Sequence, residues 1–373
     1  MEEYVHLFIT AKDITESGGG ERVGINLANA LQENKSQKCK VTIISFYRAN
    51  PEPIYPLHKD IQVIYLHCGK VSRQPLIKLF YKTIHRFFLS IKICLMLTKW
   101  KQDSQSIKLL ANDGLFIPFF KVKGITYLRL WHMRAPKNAR LTLRLFDILI
   151  ILSRKEYDVW TTYHNTIKVI PNFLAWIPTK LRSPQKSKKR ILSIGSMGKG
   201  DIKGFFRLVT IAKILQEMCL KDSCKLLENW EWVIIGNGIL KQPLQRKIQS
   251  LGLESFVRIE DFRTDIESSY IASDICCLTS YSEGFSMVLL EASFFGLALV
   301  AFDICSGPSD VIVHEKSGFL IPDNDVEDFA NKLLILMKDS LLLESMGQYA
   351  REYVSSKFSK EEILPLWLEL LQK

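Results

Sequence analysis

Short, continuous apolar runs recur along this chain. Each is followed by a polar or glycine-bearing turn and then by apolar residues at helical spacing. Unbroken apolar runs suit strands buried on both faces, the state found in a parallel sheet flanked by helices. In the first half such strands are expected at residues 5–10, 41–46 and 61–66, with weaker patterns at 108–111, 126–130 and 167–170. A helix over 21–31 follows the turn Ser17-Gly18-Gly19-Gly20. The second half predicts strands at 190–195, 232–236, 256–259, 275–278, 298–302 and 318–321. Its helices are expected at 203–218, 240–251, 326–338 and 341–355. Strand–helix alternation in both halves predicts an α/β protein with two doubly wound parallel sheets. The segment 178–190, PTKLRSPQKSKKR, is polar, basic and twice interrupted by proline, which reads as a linker. That divides the chain into a first domain over 1–177 and a second over 191–357. A last helix over 360–371 is expected to cross back, so that 358–373 joins the first domain.

A length of 373 residues fits two domains of roughly 180 each. With 47% hydrophobic and 24% charged residues the chain is globular, not disordered. The acidic start Met1-Glu2-Glu3-Tyr4 lacks the positive charge of a secretory leader. The apolar stretch 87–97 is short and interrupted by Lys92, so no membrane-spanning helix is expected. The eight cysteines form no Cys-x-x-Cys pair and most lie in apolar runs, which predicts reduced core residues of a cytoplasmic protein.

Charge is uneven. Residues 1–175 hold 26 Lys/Arg against 13 Asp/Glu, whereas the remainder is close to balanced, so the net +11 belongs to the first half. The densest stretch, 70–108, carries Arg73, Lys78, Lys82, Arg86, Lys92, Lys99 and Lys101 against one acid, Asp103. Leu76, Leu79, Phe80, Thr83, Phe87, Phe88 and Ile91 recur there at roughly helical spacing. A basic helix with such a face can lie on an anionic membrane surface; the same pattern also suits an ordinary surface helix with one buried face. No nucleic-acid module accompanies it, so no nucleic-acid partner is expected.

Candidate chemistry concentrates around Tyr281-Ser282-Glu283-Gly284-Phe285-Ser286-Met287-Val288-Leu289-Leu290-Glu291. The stretch leaves a buried strand and opens a helix. Glu283 is expected in the loop and Glu291 about two turns inside the helix, with both able to face one cleft. The amides of Phe285, Ser286 and Met287 are expected as first-turn donors aimed at a ligand. N–H groups beside carboxylates suit a ligand that has both phosphate and sugar hydroxyls, as a nucleotide sugar does. Two glycine-rich turns add to this. Gly19 and Gly20 follow the first strand, and Gly195-Ser196-Met197-Gly198-Lys199-Gly200 leads to Lys203, expected at a helix start where it can neutralise a diphosphate. Further turns follow at Gly236-Asn237-Gly238 and at Ser306-Gly307-Pro308-Ser309-Asp310. Asp323-Asn324-Asp325 spells an Asp-x-Asp, but it reads more simply as the loop and cap of the helix over 326–338.

In order and spacing these motifs resemble the retaining glycosyltransferases of the family-4 type, which have two Rossmann-like domains facing a cleft (the GT-B fold). The bacterial exopolysaccharide and O-antigen branch is the most similar. The Glu-x7-Glu pair 283/291, the glycine loop into Lys203, the Gly-Asn-Gly turn and the Gly-Pro turn carry the resemblance. The chain departs from the pattern at Ser196, where the family usually has arginine; Lys199 is the available substitute.

The resemblance implies transfer of a hexose or N-acetylhexosamine, with UDP favoured as the nucleotide, onto a lipid-linked or polysaccharide acceptor in cell-surface polysaccharide synthesis. Glu283, Lys203 and His132 take the catalytic positions, with His132 ending an apolar strand of the first domain. Gly19, Gly20, Ser196, Lys199, Gly236, Asn237, Phe285, Ser286, Met287 and Glu291 line the donor, with Glu291 on the ribose. It implies no metal and no separate cofactor, and a peripheral place on the cytoplasmic face of the membrane. Two alternatives stand beside it. One is transfer to a soluble acceptor, and the other is a non-catalytic nucleotide-binding partner of a polysaccharide assembly complex.

Overall fold

The computed structural model describes residues 5–34, 39–67, 84–101, 106–136, 138, 141–175, 178, 180–181, 188–223, 225–263 and 265–372. It divides into two compact units, Met1–Ala175 with Lys360–Lys373, and Trp176–Ser359.

In chain order the first unit contains β1 (Val5–Ala11), α1 (Gly19–Glu33), β2 (Cys39–Ser45), β3 (Gln62–Tyr65), α2 (Ile84–Trp100), β4 (Ser106–Ala111) and β5 (Ile125–Trp131). A 3-10 turn (Leu141–Leu145), β6 (Ile148–Ile151), α3 (Tyr157–Thr161) and β7 (Ile167–Val169) complete its sheet. The seven strands run in the order β3-β2-β1-β4-β5-β6-β7, all parallel. β1, β4 and β5 occupy the middle, and nearly all of their residues are buried, as expected where both faces are covered. β6 was not expected from the sequence. Its four residues continue into an apolar stretch without a turn signal, so periodicity cannot separate them from a helix.

The second unit contains β8 (Lys189–Ile194), α4 (Phe205–Lys221), β9 (Trp230–Ile235), α5 (Lys241–Ser250), β10 (Val257–Glu260), α6 (Glu267–Ile271) and β11 (Ile275–Leu278). Then come α7 (Met287–Phe294), β12 (Ala298–Asp303), α8 (Pro308–Val311), β13 (Gly318–Pro322), α9 (Val326–Lys338) and α10 (Ser340–Phe358). Its six parallel strands run β10-β9-β8-β11-β12-β13. Trp230, Trp232, Leu208, Ile211, Phe302, Phe329 and Leu333 form a core between sheet and helices. The last helix, α11 (Lys360–Gln372), returns to the first unit. It buries Trp367 and Leu371, and Lys360 pairs with Glu33 of α1 at 2.6 Å.

Strand order matters for function. In both sheets the order reverses beside the first strand, between β1 and β4 in one and between β8 and β11 in the other. At such a point neighbouring loops turn in opposite directions and leave a crevice at the carboxyl ends of the strands, where ligands of open α/β sheets bind.

Several expectations change. α1 starts at Gly19, so Gly19 and Gly20 are its first two residues and not a loop before it. β8 begins at Lys189, inside the segment read as linker, and residues 182–187 of that segment lie outside the described residues. α2 buries Leu89, Ser90, Ile93 and Leu97, with Leu89, Ile93 and Leu97 as an i, i+4, i+8 stripe, and leaves Phe87 and Phe88 exposed, so of the two readings of that face the buried one does not hold for these two residues. Of the basic stretch, residues 70–83 and 102–105, with Arg73, Lys78, Lys82 and Asp103, lie outside the described residues. Cys219, Cys276 and Cys277 are buried and Cys39 and Cys94 half-buried, but Cys305 is exposed; Cys68 and Cys224 lie outside the described residues.

Candidate functional site

The loops after β8 and β11 meet at the switch point of the second sheet. Lys203 Nζ donates to Glu283 Oε1 at 2.7 Å, and the Ser280 hydroxyl donates to the same oxygen at 2.6 Å. Glu283 is mostly buried and Lys203 about a quarter exposed. Gly195 lies under the lysine, and a Cβ there would stand 2.8 Å from Lys203 Cγ. Glycine at 195 thus lets the lysine lie across the end of β8. Lys203 is not at the helix start. It precedes Gly204, whose positive φ of 66° turns the chain into α4, and a Cβ at 204 would collide with the Thr279 carbonyl. Asp201 caps the turn, its carboxylate accepting from the Phe205 and Phe206 amides at 2.9 and 3.0 Å.

Glu283 is also held from the other side. Ser306 Oγ donates to its carbonyl at 3.0 Å, and Gly307, at φ 97°, packs where a Cβ would stand 3.1 Å from Glu283 Cβ. The Gly-Pro turn is therefore a brace for the glutamate loop.

α7 begins at Met287. Ser286 is its N-cap, accepting from the Leu289 amide at 3.4 Å, and Phe285 lies before the helix. Of the three amides expected as donors, Ser286 and Met287 stand at the helix start without an intrahelical partner, Val288 joins them, and Phe285 precedes the cap. Glu291 is the fifth residue of the helix, just over one turn inside it and not two. Its side chain is buried at 2% exposure, where Oε2 accepts from Tyr270 OH at 2.8 Å and Tyr270 stacks on Phe295. Because Glu283 precedes the helix, helical phase does not relate the two carboxylates; the loop conformation does.

The β8 and β9 loops are laced together. Met197 N donates to Asn237 O at 2.9 Å, Leu240 N to Met197 O at 3.0 Å, and Gly236 leaves room for the Gly195 carbonyl, which a Cβ would strike. Ser196, Lys199 and Asn237 are exposed on this rim. Asp325 caps α9 by accepting from Asp328 N at 2.9 Å, as the cap reading required, while Asp323 turns to Arg207.

Arg207 is the residue that sequence reasoning missed. It is 5% exposed and sandwiched between Tyr281 and Phe302, with Cζ 4.0 and 3.9 Å from their ring centroids. It donates to the Thr279 and Ser280 carbonyls and, at 2.7 Å, to Asp323. The backbone immediately before Glu283 is thereby hung on a buried guanidinium. A signal existed, since a cation in a helix's first turn opposes the dipole and calls for compensation.

A separate constellation forms in the first unit after β1, β4 and β5. Asn112 Nδ2 donates to Gly20 O at 2.9 Å, which turns its Oδ1 to His132 Nε2 at 2.7 Å. Nε2 therefore carries the proton and Nδ1 is the acceptor. A Cβ on Gly20 would touch the imidazole at 3.5 Å. Asp13, in the loop after β1, is buried and accepts from Thr15 and from the Ala49 amide. Burial, with Arg129 adding to it, pushes the His132 pKa down to about 4 against the Asn112 bond; burial and then Lys40 bring His6 to about 4. Both rings start near 6.5 when unfolded. A depressed folded value means the unfolded chain binds protons first. Their stabilisation is therefore complete above pH 6.5 and lost as pH falls toward 4. The urea midpoint should drop across that window, and His6→Gln or His132→Gln should each flatten the drop; equal slopes in all three proteins would refute this.

Among the described residues no group of three or more His, Cys, Asp or Glu side chains is placed to hold a metal ion, and no helix is long and apolar enough to cross a membrane.

Residues 179–353 match the family model Glycosyl transferases group 1. An uncharacterized glycosyltransferase of Haemophilus influenzae is 26% identical over 96% of this chain and 98% of its own length. A Campylobacter jejuni α-1,4-N-acetyl-D-galactosaminyltransferase, named for a diphosphoundecaprenol-linked acceptor, is 24% identical over 95% of both. Among solved structures, Staphylococcus aureus TarM crystallised with UDP superposes with a TM-score of 0.75 at 16% identity, covering 99% of this chain and 100% of that one. At that identity the likeness is one of fold.

Proposed function

We propose that the protein is a retaining glycosyltransferase of bacterial cell-surface glycan synthesis, because residues 179–353 match the family model Glycosyl transferases group 1 and the chain has the GT-B fold. It moves a hexose or N-acetylhexosamine from a UDP-sugar to a lipid-linked glycan.

The Lys203–Glu283 pair at the switch point carries this function. Lys203 is free to swing from Glu283 to the donor diphosphate, where its charge stabilises the negative charge that develops as the glycosidic C–O bond breaks. Glu283, held by Ser280 and by the Gly307 brace, accepts hydrogen bonds from sugar hydroxyls. The Met287 and Val288 amides and the α7 N-terminus face the diphosphate. Ser196 and Lys199 take the rim with Gly236 and Asn237, and Lys199 supplies the second cation that Ser196 does not. Glu291, oriented by Tyr270, takes the ribose hydroxyls. His132, neutral with Nδ1 as acceptor, receives a hydrogen bond from a sugar hydroxyl, and Gly19 and Gly20 allow close approach beside it. The departing phosphate takes the proton of the incoming acceptor hydroxyl, so no side-chain base and no metal are needed. Exposed Phe87, Phe88 and Leu95 beside Lys92 and Lys99 on α2 support contact with the membrane that holds such an acceptor.

Thermal shifts against UDP, GDP, ADP and CMP test the donor. UDP at about a hundred times its dissociation constant should add roughly 2.7 kcal/mol, raising the Tm by a few degrees. Glu291→Ala should abolish the shift. No shift with any nucleotide, from folded protein, would exclude a nucleotide-sugar transferase; a UDP shift without sugar transfer or donor hydrolysis would favour the non-catalytic partner.

A further inference from the structure

α10 lies along α7 from end to end. Leu343, Gly347, Ala350, Val354 and Phe358 are buried at three- and four-residue spacing, so they form one stripe of the helix. At Gly347 two backbones come together, and a Cβ there would stand 2.1 Å from the carbonyl oxygen of Gly296, just past α7. At Phe358, the last residue of α10, the ring meets that of Phe285, just before α7, with centroids 5.4 Å apart and planes at 67°. Both rings are buried. Eleven residues separate Gly347 from Phe358 and eleven separate Phe285 from Gly296, roughly 16 Å in each case at the helical rise. The two helices therefore run antiparallel, and α10 pins α7 at both ends.

Those ends bear different parts of the site. At the far end Phe295 stacks on Tyr270, which donates to Glu291. At the near end stand Glu283, the Ser286 cap and the Met287 and Val288 amides. The Phe358 ring meets the near end. A second path reaches it from the same stretch of α10. Tyr353 lies edge-on to Phe358 at 6.2 Å, and its hydroxyl donates to Asp310 O at 3.4 Å. The Asp310 carboxylate accepts from Gly307 N at 3.0 Å, and Gly307 is the residue packed against Glu283, Phe285 and Ser286. Edge-to-face rings constrain orientation as well as distance, so Phe358 sets the course of the chain just after Glu283.

We propose that Phe358 is a positioning residue for sugar transfer: its ring holds Phe285, and through that contact fixes Glu283 and the first turn of α7 against the donor. The link to a reaction rests on the transferase function proposed above, whereas the hold on the loop does not.

Phe358→Ala in the full chain tests this with two independent readouts. Hydrogen exchange across residues 283–290 should quicken by about tenfold or more as the loop loses local stability, while exchange in α4 stays as in the wild type. At a temperature where the variant is folded, kcat should fall by about ten- to a hundredfold, the cost of a misplaced reacting group. UDP should still raise the Tm as it does in the wild type, because Glu291 and Tyr270 are held at the other end. Phe358→Leu keeps apolar bulk and should recover part of the rate, and it reports even if the alanine variant fails to fold. Phe285→Leu acts on the same contact, so Phe285→Leu/Phe358→Ala should be no slower than the slower single variant. Unchanged exchange, or losses that multiply in the double variant, would overturn the contact. Faster exchange with wild-type kcat would overturn the positioning role and leave Phe358 a packing residue. Faster exchange in a protein whose wild type neither binds UDP nor transfers sugar would uphold the contact and remove the transferase.

Discussion

Lys203→Ala is expected to lower kcat by about 10²–10³, the effect of removing one donor that stabilises charge developing in a water-poor site. The lysine stands 2.7 Å from Glu283 and reaches it across Gly195, so alanine removes the cation and also the partner that positions the carboxylate. Ser280 still holds Oε1, which keeps the loop in place and confines the effect mainly to the chemical step. KM for the nucleotide sugar should rise less than kcat falls, because a diphosphate bound as a substrate gains less from the cation than one acquiring charge. Lys203→Arg should recover part of the rate. Steady-state kinetics with the donor identified by thermal shift provide the check, with circular dichroism confirming the fold. A rate within threefold of wild type would remove Lys203 from the chemistry and leave it as a structural partner of Glu283.

Arg207→Met is expected to destabilise the second unit by about 3 kcal/mol or more, the range found when one partner of a buried, hydrogen-bonded charge is deleted. Methionine can refill part of the space between Tyr281 and Phe302, so the loss comes chiefly from the Thr279 and Ser280 carbonyls, buried and deprived of their donor. Asp323 is 40% exposed and can turn to water, which makes its share small. Urea unfolding followed by circular dichroism reads the change. Since the carbonyls belong to the backbone leading into Glu283, sugar transfer should fall as well, even at temperatures where the variant is folded. A variant that keeps both stability and turnover would show that the loop needs no guanidinium to hold it.

The sequence by itself determined the two-sheet architecture, because parallel strands buried on both faces must be apolar along their whole length, and runs such as 5–10 and 275–278 announce that locally. It likewise marked Glu283, Glu291, Lys203 and the glycine turns, since a glycine needed for a tight turn or close approach is visible without its neighbours. What it could not decide depends on strand order. Lys203 and Glu283 are 80 residues apart and meet only because β8 lies beside β11. The same neighbourhood creates the roles of Arg207 and Gly307, whose partners lie in other loops. The orientation of His132 needed Asn112 from a different strand, and the burial of Glu291 followed from where Ser286 caps its helix. On α2 the pattern was legible but its phase was not. Phe87 and Phe88 are as apolar as Leu89 and Ile93, and only the position of the helix on the sheet settles which pair is buried and which meets solvent. Periodicity is a property of the chain alone, whereas a contact needs two surfaces, and the second is supplied by the fold.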